Sequence, residues 1–272
     1  MTTVVNINLA RTLEQAEIDM LTSRLTAIQN IKENPMGIEI QTFGHATAFS
    51  AKNIPGPSFN TVKGLRAGDE PYVEAIIDYF DQKNIPILFE LTPANTSKEL
   101  LTYLNKLGFY QIDFHTTLYK HLSMEDCLNP QLDSDITIRK LNENEFDLFG
   151  EIYTKGFQMP DFLAGGVAAN NKILYSNPQW TFYLAMIGER PVGIGVLFEK
   201  DQVATLAAAT TLPDERNKGI QSALIQQRMI EAIHNENNLI VGQAKFGSVS
   251  QNNMERATMK IAYTKAIWIK GN

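Results

Sequence analysis

A chain of 272 residues with 44% hydrophobic and 20% charged side chains has a globular composition, with room for one large or two small domains. A net charge of −6, split evenly between the two halves, excludes a general nucleic-acid binder, which would carry a basic face. The single cysteine, Cys127, excludes an internal disulfide. The opening MTTVVNINLA lacks the basic flank and apolar core of a signal peptide, and the longest weakly polar run, VATLAAATTL, is about half a membrane span. A cytoplasmic protein with no membrane or nucleic-acid partner is expected.

In chain order, apolar residues at helical spacing (Leu21, Leu25, Ile28) predict a helix from Leu13 to about Lys32. IEIQTF and ATAFSA read as short strands, and PGPSFNTVKGL as turn residues leading into a third. A helix over about Pro71–Lys83 precedes the buried strand IPILFEL. SKELLTYLNKLGF is a helix ending at Gly108, and QIDFHTTLYKHL alternates as a strand. Residues 123–134 are acidic and polar and read as a linker. Beyond it, DITIRKL is a strand, and Asn142 caps a helix from Glu143 to Lys155. LAGGVAANNKILYSNPQ is mixed helix and loop. WTFYLAMIGERPVGIGVLFEKDQVATLAAATTL reads as three strands joined by tight turns, GERP and EKDQ. A helix to about Asn235, the strand NLIVGQA, the helix SQNNMERATMK and the strand IAYTKAIWI close the chain.

Between the third of those strands and its helix stands RNKGIQSALI, Arg216–Ile225. The first N–H groups of a helix lack internal partners, and with the helix dipole they form an anion site. Gly219 lets a phosphate approach the backbone, and Arg216 and Lys218 add charge. A basic turn would look the same locally; the surrounding order of elements decides the weighing.

That order, with Arg216, Gly219 and Gln221 on the positions of the Gln/Arg-x-x-Gly-x-Gly/Ala loop, resembles the GCN5-related N-acetyltransferase (GNAT) family. Gln221 stands where the family usually has a small residue. The resemblance implies an α/β (α+β) fold of two family-like halves, each a mixed, mostly antiparallel sheet flanked by helices. Residues 1–122 would be a degenerate domain and 135–272 an acetyltransferase domain. It further implies acetyl-CoA as co-substrate, held by Ala209, Thr210, Thr211 and Leu212 on the strand, by Arg216, Asn217, Lys218, Gly219, Ile220 and Gln221 on the loop, and by Asn253. The first half carries LTYLNKLGFYQIDF, like the family's closing elements. Its loop reads LRAGDEPYVEA, with Asp69 and Glu70 where a phosphate would sit.

The family's usual proton donor to the leaving thiolate is a tyrosine, and the matching position here is Met254, if Thr258 and Met259 stand for the family's Gly-Phe turn. Tyr263 is the candidate substitute, against a reading as an ordinary strand residue. Ser250, in a Ser/Asn-rich helix start, reads either as part of the cap or as a contact to the thiol end. The four histidines show no metal-ligand spacing, so no metal is expected. The function implied is acetyl transfer to a small-molecule or peptide amine; the alternative is a non-catalytic acyl-CoA-binding regulatory module. The acceptor and the oligomeric state are not legible.

Overall fold

A computed structural model describes residues 4–54, 59–127 and 135–271. Most of the PGPSFN turn and of the linker lies outside these ranges. The chain forms two compact units. Unit 1 is Met1–Thr117 with Ala244–Phe246 and Ile261–Asn272; unit 2 is Leu118–Gln243 with Gly247–Lys260.

In unit 1 the helix α1, Ile7–Gln29, starts earlier than its apolar spacing predicts, because the Asn6 side chain accepts the Leu9 N–H and caps it. Its inward face carries Leu13, Leu21, Leu25 and Ile28, but also Glu14 and Glu17. Strands β1 (Ile38–Phe43), β2 (Ala46–Ala51) and β3 (Thr61–Lys63) form an antiparallel meander. Helix α2, Glu70–Asp81, then leads to β4, Leu88–Leu91, which pairs in parallel with β3. Helix α3, Lys98–Lys106, capped by Ser97, leads to the long strand β5, Phe109–His121. Val73, Ile76, Phe80, Phe89, Leu100, Leu104 and Phe109 form the core against this sheet.

The terminal strand β11, Lys260–Lys270, departs from the linear reading. From Ile261 on it belongs to unit 1, where Ala266–Ile269 pair antiparallel with β4. One face of β11 also brings Lys265 to the buried carboxylates of α1 and β4. Such a long-range tie has no local sequence signal.

Unit 2 repeats the plan. Strands β6 (Ile136–Lys140), β7 (Trp180–Ile187), β8 (Arg190–Lys200) and β9 (Val203–Thr211) form an antiparallel meander. Helix α6, Ile220–His234, then leads to β10, Leu239–Lys245, which runs parallel to β9. Between β6 and β7 lie α4, Phe146–Gly156, and α5, Ala164–Lys172. A capping box of Asn142 and Glu145 and a single 3₁₀ turn precede α4, so the expected helix from Glu143 divides there. Helix α7, Val249–Arg256, ends where Thr258 takes a φ of +64°, the conformation that Gly108 takes after α3. No helix among the described residues is long and apolar enough to cross a membrane.

Candidate active site

The loop before α6 has the backbone its sequence calls for. Gly219 caps the helix in the left-handed conformation, φ +80°, which glycine adopts without strain. Asn217 is also left-handed at φ +64°. The first intrahelical bond is donated by Ala223 to Gly219, so the N–H groups of Ile220, Gln221 and Ser222 precede it. These residues line an outer cavity of about 710 Å³ with Ala209, Thr210, Thr211, Arg216, Asn217, Ser250, Asn252, Asn253 and Arg256.

Two expected cations are placed differently from expectation. The Arg216 guanidinium lines this cavity but donates from Nη2 to the Gly156 carbonyl at 2.7 Å, tying the loop to α4. Gly156 also lets the end of α4 lie against β9, since a Cβ there would lie 2.3 Å from Thr210 Oγ1. Lys218 is not among the lining residues; its ammonium pairs with Glu215 at 2.9 Å, and Arg190 reaches the same carboxylate at 2.6 Å. Lys218 and Arg190 hold the Glu215 carboxyl below its usual range. Leu212 lines a neighbouring groove instead, and its N–H bonds to Val192. Gln221 does not obstruct the loop: its Nε2 donates to Thr211 Oγ1 at 3.0 Å, so the amide is turned onto β9.

Strands β9 and β10 pair only from Val203 to Thr205 and from Leu239 to Val241. Beyond that, Leu206, Ala207, Ala208, Ala209 and Gln243 line a smaller inner cavity of about 230 Å³. It shares Ala209, Gln221, Ser250 and Asn253 with the outer one. The β8–β9 register slips between Val196↔Ala208 and Leu197↔Leu206, leaving Ala207 as the extra residue of a β-bulge on the cavity wall. Gly242 lets α7 close from one side, since a Cβ there would lie 2.8 Å from Met254 Sδ. Tyr153 of α4 and Phe157 at its C-terminal cap, ring centroids 4.6 Å apart, form another wall. The Gln243 Nε2 is buried with no hydrogen-bond partner among the described residues, a donor that a ligand oxygen would satisfy.

Arg228 of α6 lines the inner cavity and is only 2% exposed. Its Nη1 donates to Val196 O and Ala208 O, both at 3.2 Å, and its Nε to Leu224 O at 2.9 Å. The Val196 and Ala208 carbonyls flank the bulge, so the guanidinium clamps it. Burial lowers its pKa to about 10.

Of the two proposed catalytic residues, Ser250 lines both cavities, exposed, while Ser248 makes the cap by accepting the Gln251 N–H. Tyr263 belongs to β11 in unit 1, is 9% exposed, and lines neither cavity. Burial pushes its phenol up, and its hydroxyl has no hydrogen-bond partner among the described residues. Met254 does line the inner cavity. Sequence reasoning missed Tyr153, Phe157, Arg228, Gln243 and Arg256. The sequence signal for Arg228 is a cation four residues from Leu224, on the buried face of an otherwise apolar helix stretch.

No protein-family model and no curated protein matches the sequence. Solved structures do resemble the chain. A GCN5-related N-acetyltransferase from Kribbella flavida matches with TM-score 0.69 at 14% identity, covering 97% of this chain and 95% of that one. A functionally unknown conserved protein from Staphylococcus epidermidis matches with TM-score 0.62 at 15% identity, over 90% and 97%. A tandem GNAT protein from the clavulanic acid biosynthesis pathway matches with TM-score 0.63 at 8% identity, over 96% and 95%. The chain has the fold of the GCN5-related N-acetyltransferases.

Proposed function

We propose that unit 2 is an acetyl-CoA-dependent N-acetyltransferase of the cytoplasm, acting on a small-molecule or peptide amine, and that unit 1 binds no coenzyme A. One observation carries this reading: the open N–H groups at the start of α6 line a cavity that adjoins a second cavity where β9 and β10 part. The first suits a pyrophosphate and the second an acyl-pantetheine end. The N–H groups of Asn217 and of Gly219 to Ser222, with Arg216 and Arg256, would hold the phosphates. The edge of β9 from Ala209 to Thr211, with Gln243 and Asn253, would hydrogen-bond the arm.

The co-substrate supplies an activated thioester carbonyl. In the transfer, the amine nitrogen forms a bond to the carbonyl carbon, the carbon–sulfur bond breaks with its electron pair going to sulfur, and the nitrogen's proton passes to water. The thiolate takes a proton from solvent, Ser250 lying on the cavity wall to order the water that delivers it. The bulge at Ala207 frees backbone polar groups beside the reacting carbon, where fixed dipoles act on developing charge.

The reading is tested by calorimetry with coenzyme A and by thiol release from acetyl-CoA over a panel of amines. Binding at one site per chain with amine-dependent thiol release is expected. Binding with no transfer to any amine would leave a regulatory acyl-CoA-binding module, and no binding would overturn both.

A further inference from the structure

Resting on that reading, the inner cavity also limits which amine can enter. Among the described residues that line it, the one formal charge is that of Arg228; the others are Tyr153, Phe157, alanines, amides, Ser250 and aliphatic side chains. The guanidinium is buried, and its partners are three backbone carbonyls rather than a carboxylate. The titratable group set against it is the buried phenol of Tyr183 on β7, near which lie Glu199 of β8 and Glu231 of α6. Neither carboxylate lines the cavity: Glu199 accepts from the neutral amides of Asn235 and Asn237, and Glu231 pairs with Lys140. The formal charge on the cavity wall is therefore the guanidinium's, in a low-dielectric setting where charge is weakly screened.

We propose that Arg228 is a specificity-determining residue that restricts the acceptor to an amine with no second positive charge. A second ammonium entering this space would meet a like charge and no carboxylate. The aromatic wall of Tyr153 and Phe157 instead receives a ring or alkyl body. The same cation favours the neutral form of the reacting amine, since a nearby like charge disfavours the protonated one. It thereby does part of what a carboxylate base would otherwise do, without taking the proton itself.

Three matched amines test this: benzylamine, para-aminomethylbenzoate and para-xylylenediamine, which differ only in a neutral, negative or positive para group. Wild type is expected to favour the first two over the diamine by about tenfold or more in kcat/KM. Calorimetry of each amine with coenzyme A-loaded protein should give the same order. Arg228→Lys keeps the charge and should keep the preference. Arg228→Met should narrow it to about twofold. Should that variant fail to fold, Ser250→Asp, at an exposed position on the cavity wall, adds the opposing charge and should narrow it likewise. Equal or better use of the diamine by wild type overturns the proposal, as does a ratio unmoved in the folded variants. Charge-blind transfer to all three amines would overturn this proposal alone. Coenzyme A binding without thiol release or amine binding would overturn the acetyltransferase reading and the proposal together.

Discussion

The two units place a loop between the same two parallel strands and fill it in opposite ways. In unit 2 the loop from Arg216 to Gly219 leads into a helix start where Ile220, Gln221 and Ser222, whose N–H groups precede the first intrahelical bond, line a cavity. In unit 1 the loop before α2 is occupied by its own carboxylates. Asp69 Oδ2 accepts the Arg66 N–H at 2.9 Å, Asp69 Oδ1 accepts from the His45 backbone and ring, and Glu70 Oε2 accepts the Gly68 N–H at 2.7 Å. Negative side chains thus satisfy N–H groups of the unit 1 loop from within the chain.

The strand pairs differ too. In unit 2, β9 and β10 part to leave a lined space. In unit 1, β3 and β4 are bridged by Lys63 and Glu90 at 2.5 Å, and Thr61 also donates to Glu90. Glu17 and Lys265 complete a buried ion square, with Lys63–Glu17 at 2.6 Å and Lys265–Glu17 and Lys265–Glu90 both at 2.5 Å. Beside it, Glu14 accepts from Thr92 and Asn95, and burial pushes its carboxyl up. The lesson is that one scaffold can either leave the N–H groups of this loop and helix start open to a cavity or satisfy loop N–H groups from within.

The largest expected effect tests the ion square. Lys265→Met leaves two buried carboxylates facing one ammonium and should cost about 3–5 kcal/mol in denaturant unfolding. The pH dependence has a definite sign. Burial acts to raise the Glu90 carboxyl, but Lys265 and Lys63 outweigh it and carry it well below its ordinary 4.5. Its contribution is thus present above pH 4.5 and lost as pH falls toward the folded value. The gap between wild type and Lys265→Met should therefore narrow in acid; a gap that widens would contradict the square's role.

Next comes Gly219→Asp, which sets a carboxylate against the open N–H groups, as Asp69 does in unit 1. Coenzyme A affinity should fall on the order of a hundredfold or more. The fold should survive, because a Cβ at Gly219 meets only Ile136 Cδ1 at 3.7 Å and the left-handed φ costs about 1–2 kcal/mol. Unchanged affinity would mean that the loop is only a turn.

The converse change, Asp69→Asn, removes the charge that unit 1 uses to fill its loop. Thermal or denaturant unfolding should report a loss of about 2 kcal/mol. Calorimetry should still find no second coenzyme A site, since the bridged strands remain. A new site would show that the carboxylates alone hold the ligand off.

The smallest effects concern the proton donor. Met254→Tyr, on the inner cavity, should raise kcat by about tenfold, short of the ~10²–10⁴ of a fully positioned acid. Tyr263→Phe should change kcat by less than about twofold, being far below such an acid's contribution. A large loss there would restore the phenol as the acid.

Much of this was legible in sequence. IEIQTF, ATAFSA and the three-strand meander announce themselves by alternation and tight turns, and RNKG by its glycine before an apolar helix. Asp69 and Glu70 were readable as hostile to phosphate, though not as the groups that satisfy the loop. The ion square was not legible: Glu17 lies on the buried face of α1 with Leu21 and Leu25, but its partners sit as far along the chain as Lys265. The inner cavity was not legible, because it depends on where β9 and β10 stop pairing. The role of Arg228 was likewise hidden, since three carbonyls from separate elements define it.

The central claim, that one unit binds and the other has closed its site from within, is tested most directly by isothermal calorimetry of the intact chain with coenzyme A. The account predicts a single site per chain, abolished by Gly219→Asp and untouched by Asp69→Asn. Two equivalent sites, or a single site that survives Gly219→Asp, would contradict it.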